Sequence, residues 1–494
     1  MRRALYSYVS CHLLPLGIVL GLESSSSKSK SSNGDEGKQN KKSKAEEKFE
    51  HVFEKEEGRH SQKPAEGAVV MQNGRFTFSD DVHAPDRIVV GKFWDLIETT
   101  GNSRLHTSTQ EHSSATDGDY FYGLGFAEGY LTAERVSQQV YNRVRRAKKT
   151  SPRVWLWMRR HNEYIRKTIL QNALSDPYWF NMQLQMVRLD GLLAGYHYRR
   201  ISDEEKNVHR DREDELDRHV NLIELFMINA VSDIEAVDRA LKRQEFDDIL
   251  SDDDSEYHVM DLDQQLRKWE EEAGMTTSRI RDVSYSESAD AFPYYHGGDE
   301  ATAGLFSALP KSAFPSKRRQ HESKDELSVF PSETGQSDHC SALVKVAHGE
   351  LYMGHATWTD YSEMLRIFKT LEYKHIKHLS VPTTGMSYSS YPGYLSSTDD
   401  WFVMQPTRLV VTETTLDVES DEILAQYVTV RSVLTPIRAL VASTMAESGL
   451  QWYDIFSMHN SGTQNDQWHV VDFKKFTRGN PSLNIPANLE PGIH

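Results

Sequence analysis

The sequence predicts an α+β chain. Apolar residues recur at helical spacing through much of the first half, and strand-like runs dominate from Cys340 onward. Long charged, Ser-rich stretches lie before and between the two halves and lack the apolar residues of a core.

Ordered sequence is expected from near Val69, where Asn73-Gly74 sits between apolar runs as a hairpin signal. Asp119 to Val144 reads as a strand-to-helix passage, with Leu131, Val136 and Val140 at roughly helical spacing. Val154 to Leu170 and Asp176 to Tyr196 read as two helices, separated near Ser175-Asp176-Pro177. Ile201 to His219 is almost wholly charged and reads as a solvated loop or exposed helix. A core-like pattern returns from Leu222 to Leu241. Phe246 to about Asp338 is acidic and Ser-rich, with Gly297-Gly298 and the basic triplet Lys317-Arg318-Arg319. It reads as a long insertion open to proteolytic nicking.

The chain has 494 residues, 38% hydrophobic, with a net charge of -16. That hydrophobic share is below the globular norm, so part of the length cannot join a core. The acidity argues against non-specific nucleic-acid binding and against a basic membrane-surface patch. Residues 1–22 have the parts of a signal peptide: Arg2 and Arg3, then the apolar run Leu13 to Leu22. A retained signal anchor is the second reading, and no later segment is long and apolar enough to span a bilayer. The expected organisation is a leader over 1–22, a disordered Ser/Lys/Glu tract over 23–66, ordered parts over 67–245 and 340–494, and a linker over 246–339. No Asn-x-Ser/Thr acceptor occurs, since Asn480-Pro481-Ser482 is excluded by its proline.

With Cys11 inside the leader, Cys340 is the one cysteine expected in a mature chain. A secreted chain usually pairs its cysteines, so a lone thiol is buried and inert, bridged to another chain, or chemically employed. Ser341 to Val346 and Leu351 to Thr357 are strand-like, with His348-Gly349 between them as a turn. An even-numbered loop there pairs Val346 with Leu351 and, further out, Cys340 with Thr357. Cys340, Thr357 and His355 then share one face, with His355 as the diagonal neighbour of the thiol. A three-residue loop would break this register. Asp360 with Glu363 resembles a capping box, and Tyr361, Met364, Leu365, Phe368 and Leu371 then fall on one helical face. Against the chemical reading stands the plain one: a small buried cysteine, a satisfied core histidine and a packing tryptophan at Trp358.

Longer motifs then come into view. Asp338-His339-Cys340-Ser341-Ala342-Leu343-Val344-Lys345, Gly354-His355-Ala356-Thr357-Trp358 and Tyr361 to Ile367 resemble the phospholipase B-like family. So do Ser389-Ser390-Tyr391-Pro392-Gly393-Tyr394 and its continuation to Asp400, Glu413-Thr414-Thr415, Asn460-Ser461-Gly462-Thr463, and Gln467-Trp468 with Val471-Asp472-Phe473-Lys474. Gly129 to Glu134, Asp176 to Trp179 and Leu189 to Leu192 fit more loosely. The resemblance implies an N-terminal-nucleophile hydrolase fold, an αββα sandwich of two antiparallel sheets between helical layers. It also implies self-cleavage between His339 and Cys340, leaving two associated chains. The freed α-amine, with a reference pKa of about 7.7–8.0, would serve as base for the adjacent thiol. By the same resemblance His355 and Trp358 would line the pocket, and Thr415 would approach from a neighbouring strand.

Members of that family continue well past the equivalent of Phe476, whereas this chain drifts into Asn480-Pro481-Ser482-Leu483 and ends at His494. The resemblance therefore places further core strands, and the Asn and Arg expected to stabilise an oxyanion, beyond the sequence given. Asn460 and Arg438 are stand-ins, but an Asn-Ser-Gly setting reads more simply as a turn and Arg438 as structural.

Two functions follow. The first is a self-processed acyl hydrolase acting on lipid esters or amides in the secretory pathway, in a lysosome-like compartment or secreted. The second is a non-catalytic lipid-binding relative that keeps the scaffold. Neither implies a cofactor, a metal or nucleic acid. Other chemistries fit worse. Gly123 to Gly129 has the wrong glycine spacing for a dinucleotide loop and reads as close packing. His375 and His378 lack the further ligands of a zinc site. Asp252-Asp253-Asp254 lacks the Gly and Glu of a calcium loop, and the papain-type cysteine signature is absent.

Overall fold

A computed structural model describes residues 63–97, 101–145, 150–205, 218–243, 340–359, 361–398, 401–416, 418, 420–477 and 479. The leader, the Ser/Lys/Glu tract up to residue 62, the acidic linker and Asp360 lie outside these residues. The chain opens with strands β1 (Ala65–Gln72), β2 (Arg75–Ser79), β3 (Arg87–Trp94) and β4 (Asn102–Thr109). Six helices follow: α1 (Asp117–Leu131), α2 (Ala133–Val140), α3 (Pro152–Asn172), α4 (Pro177–Glu205), α5 (Leu222–Asn229) and α6 (Val231–Arg243). The second half supplies β5 (Ser341–Ala347), β6 (Glu350–Ala356), β7 (Arg366–Glu372), β8 (Gly385–Ser390), β9 (Trp401–Gln405) and β10 (Leu409–Thr415). Helices α7 (Asp421–Tyr427), α8 (Thr435–Met445) and α9 (Gly449–Ser457) then lead to β11 (Asp466–Asp472).

Nine strands form one sheet in the order β11-β10-β9-β8-β7-β4-β3-β1-β2, and β5 and β6 form a separate hairpin. The α+β class is met. Among the described residues there is one large mixed sheet, with β4 and β7 parallel, beside a two-stranded ribbon, rather than two antiparallel sheets. A tight turn forces its strands antiparallel. Strands β4 and β7 are joined by hundreds of residues, so no turn dictates their direction. The halves on either side of the acidic linker thus share a single sheet.

Local chemistry explains most of the elements. Asn73 and Gly74, both at positive φ, close the β1–β2 hairpin as expected. Strand β1 starts at Ala65, two residues before the expected boundary at 67. The passage from Asp119 to Val144 holds no strand. Thr116 caps α1 by accepting from the Asp119 backbone, while the Asp119 carboxylate accepts from the Thr116 N–H. The segment is helical from that point on. The stretch after Asp360 departs from expectation in the opposite direction. Only Tyr361–Glu363 forms a short 3-10 turn, and Arg366–Glu372 is a strand at the middle of the sheet. Tyr361 and Met364, expected on one helical face, are 88% and 55% exposed.

The glycines of Gly123 to Gly129 are packing residues, as read. A Cβ on Gly125 would lie 2.0 Å from the Arg188 carbonyl, and one on Gly129 would lie 1.9 Å from that of Leu192. Gly191 and Gly195 of α4 meet Tyr122 and Phe126 of α1 in the same way. Two glycine pairs at i, i+4 spacing therefore bring the α1 and α4 backbones together. Below this pair α1 lies on the sheet, where Gly123 approaches Ile88 and Val89 of β3. The layers run sheet, α1, α4.

The core also buries titratable groups. His161 of α3 is 1% exposed, stacks on Trp157 and bonds the Val430 carbonyl through Nδ1 at 3.0 Å. Burial drags its imidazole down to about 4, against the weaker opposing pull of that hydrogen bond. Between about pH 6.5 and 4 the unfolded chain binds the proton that the folded chain refuses, so this group lowers stability as pH falls. The expected loss is about 1.4 kcal/mol per pH unit in that window, or about 2–3 kcal/mol between pH 6.5 and 4.5. His161→Asn keeps a donor near Nδ1 and removes the titration. Urea midpoints should show it less stable than wild type at pH 7, with the gap narrowing at pH 4.5. A gap that stays constant across this range would refute the assignment.

Candidate active site

Strand β5 starts immediately after Cys340, and His348 and Gly349, both at positive φ, form its two-residue turn into β6. The ladder pairs Val346 with Leu351, Ala342 with His355 and Ser341 with Ala356. The next step outward brings Cys340 opposite Thr357. The expected register is therefore the observed one, and Cys340, His355 and Thr357 share a face. Alternate residues Ser341, Leu343 and Lys345 face solvent, so this shared face turns inward.

Strand β10 meets the hairpin there. It outruns its neighbour β9, whose last pair with it is Trp401 to Thr412. Beyond that point Thr414 Oγ1 donates to the Cys340 carbonyl at 2.7 Å, and His355 Nε2 lies 3.1 Å from the Glu413 carbonyl. Nε2 is also 3.6 Å from Glu413 Oε1, with the two side chains 4% and 1% exposed. Thr357 Oγ1 lies 3.4 Å from the other ring nitrogen. The Cys340 thiol, a ring nitrogen of His355 and a Glu413 oxygen all fall within 4.8 Å of one another.

The electrostatics behind this group are unusual. Glu413 is fully buried, and neither carboxylate oxygen has a hydrogen-bond partner. Across the β10–β11 ladder, Thr415 faces Asp466 and Glu413 faces Trp468, so both carboxylates lie on one side of the sheet. Burial, then the nearby charges of Glu413 and Asp233, pushes the Asp466 carboxyl up to about 9. Like charges at close quarters in a dry site cannot all remain ionised, so Asp466 holds its proton. Asp233 in turn accepts from Thr463 Oγ1 and from the Thr435 backbone N–H.

Of the sequence-derived residues, the fold brings Cys340 and His355 together. Trp358 stands three residues past His355 and is 54% exposed. Thr415 is half-buried, on the same side of β10 as Glu413. Arg438 is structural as read: it donates to the Val433 and Phe456 carbonyls and to Thr435 Oγ1. Asn460 accepts from the Gly462 N–H in a turn. His375 and His378 go separate ways, to Thr109 Oγ1 and Ser380 Oγ. Sequence reasoning missed Glu413, Thr414 and Asp466 as members of the site. The signal available was a carboxylate inside the otherwise strand-forming run Leu409-Val410-Val411-Thr412-Glu413, which needs a reason to be buried.

The sequence is similar to known proteins. The Phospholipase B family model matches residues 89–284 and 300–489. Phospholipase B-like protein C of Dictyostelium discoideum is 25% identical over 421 residues, 84% of this chain and 56% of its own length. Phospholipase B-like 1 of Bos taurus is 25% identical over 408 residues, 81% of this chain and 56% of its own. Putative phospholipase B-like 1 of Caenorhabditis elegans is 44% identical over 143 residues, 28% of this chain and 24% of its own. The chain spans about half the length of the curated relatives it matches along most of its course.

Proposed function

The chain belongs to the phospholipase B family, and on that premise we propose that it is an acyl hydrolase with Cys340 as nucleophile. The observation that carries the proposal is the meeting of the Cys340 thiol, the His355 imidazole and the Glu413 carboxylate within 4.8 Å. The substrate class is a lipid ester or amide, and the scaffold is read as a variant of the N-terminal-nucleophile sandwich. Among the described residues no helix is long and apolar enough to cross a membrane. The secretory pathway, ending in a lysosome-like compartment or outside the cell, is the setting proposed for it.

The chemistry proceeds in two rounds. In the first, the Cys340 thiolate attacks the carbonyl carbon of residue 339, the C–N bond breaks, and the amide nitrogen leaves with a proton as the Cys340 α-amine. Water then hydrolyses the thioester, giving a new carboxylate and a free thiol. In the second, the amine takes the thiol proton, the thiolate attacks a substrate acyl carbon, and the amine returns the proton to the departing alcohol or amine. Water again releases the acid. Thr414 Oγ1, bonded to the Cys340 carbonyl, holds the nucleophile's backbone in both rounds.

N-terminal sequencing of the full chain after incubation at acidic pH tests the first round. The expected product is a fragment beginning Cys340-Ser341-Ala342-Leu343. A chain that stays unbroken before Cys340 would remove self-processing and favour the scaffold-only reading.

A further inference from the structure

We propose that Cys340, His355 and Glu413 also form a binding site for one divalent transition-metal ion of the zinc class, held through Sγ, imidazole nitrogen and carboxylate oxygen. A thiolate, a neutral imidazole and a carboxylate make up a donor set that suits such an ion. In a tetrahedral site with bonds of about 2.0–2.3 Å, neighbouring ligand atoms stand roughly 3.3–3.8 Å apart. His355 Nε2 and Glu413 Oε1 already stand 3.6 Å apart, and the thiol lies within 4.8 Å of both partners. Only a small approach of the Cys340 side chain, at the end of β5, is needed.

A second observation points to a cation independently of the spacing. Both Glu413 oxygens are buried without a hydrogen-bond donor. A buried carboxylate without donors bears the full desolvation cost, and a divalent ion offsets it. The histidine has a route to the required tautomer. To ligate through Nε2, the ring must give up its Nε2–H bond to the Glu413 carbonyl at 3.1 Å and carry its proton on Nδ1, where Thr357 Oγ1 stands 3.4 Å away to accept it. Three protein ligands leave a fourth position open to water or a further ligand. Held in the site, the ion would hold the thiolate and block any attack by it.

The site does not depend on the hydrolase reading, and absorption spectroscopy separates the two. The full chain, stripped with a chelator and titrated with Co²⁺, should bind one equivalent with a thiolate-to-metal charge-transfer band. Cys340→Ser, at a half-buried position, should fold normally and lose the band. Glu413→Gln keeps the shape of the side chain and should weaken binding by more than the roughly 10–100-fold that an outer-shell partner costs. His378→Ala, outside the site, should change neither. No band in the wild-type chain, or a band that persists in Cys340→Ser, would overturn the site. A chain that shows the band yet, once stripped of the ion again, never cleaves or hydrolyses would instead overturn the hydrolase reading.

Discussion

Glu128→Ala is expected to cost about 3–5 kcal/mol, a large fraction of the stability of an ordinary domain. Glu128 lies on α1, and its two oxygens serve two cations in the interior. Lys369 Nζ of β7 donates to one at 2.7 Å, and Arg188 Nη2 of α4 donates to the other at 3.2 Å. Lys369 is fully buried, and Arg188 is 2% exposed. Further donors serve the Tyr394 and Leu395 carbonyls and the Tyr388 hydroxyl, so the group ties the first half of the chain to the second. Burial already draws Lys369 down to about 8, with Glu128 opposing it. Removing Glu128 leaves the lysine to lose its proton or remain a bare buried charge. Without Glu128 to oppose burial the lysine falls further still, so relative to wild type the variant should regain stability as pH rises toward about 8, above which both gain alike. Urea unfolding measures both effects, and Glu128→Ala with Lys369→Met should be less damaging than Glu128→Ala alone. A single-variant loss under about 1 kcal/mol would show that the cluster is not a keystone.

The same cluster shows where sequence reading stops. Lys369 interrupts the run Arg366-Ile367-Phe368-Lys369-Thr370-Leu371-Glu372, which therefore lacks the continuous apolar signature of a central strand. The apolar positions that remain happen to fit a period of 3.6, and a helix was the natural reading. The counter-ion that allows the lysine inside is Glu128, 241 residues away, and no local pattern records it. The hairpin was legible for the opposite reason. His348-Gly349 sets the turn, the turn sets the register, and the register sets which side chains join Cys340. Glu413 escaped notice because its role depends on β10 outrunning β9, a property of the assembled sheet. The glycines of α1 were legible as packing residues, but their partners Gly191 and Gly195 became visible only once α4 was placed.

Cys340→Ala should leave the fold intact and lower acyl hydrolysis by at least about 10⁴-fold, the scale seen when a covalent nucleophile is removed. The side chain is only half-buried, and Thr414 holds the backbone carbonyl, which the substitution preserves. Thermal unfolding should therefore move little, and a large drop in Tm would recast Cys340 as a packing residue. The variant should also stay unbroken before position 340, because cleavage and hydrolysis draw on the same sulfur. Two bases are within reach of that sulfur, and they make different demands. The His355 imidazole is present in the intact chain, whereas the α-amine exists only after cleavage. If the amine is the base, the wild-type chain should hydrolyse acyl substrate only in proportion to the fraction cut before Cys340. Activity that precedes cleavage would transfer the role to His355, with Glu413 behind it as the group that orients the ring. Activity retained by Cys340→Ala would remove the thiol from the reaction altogether.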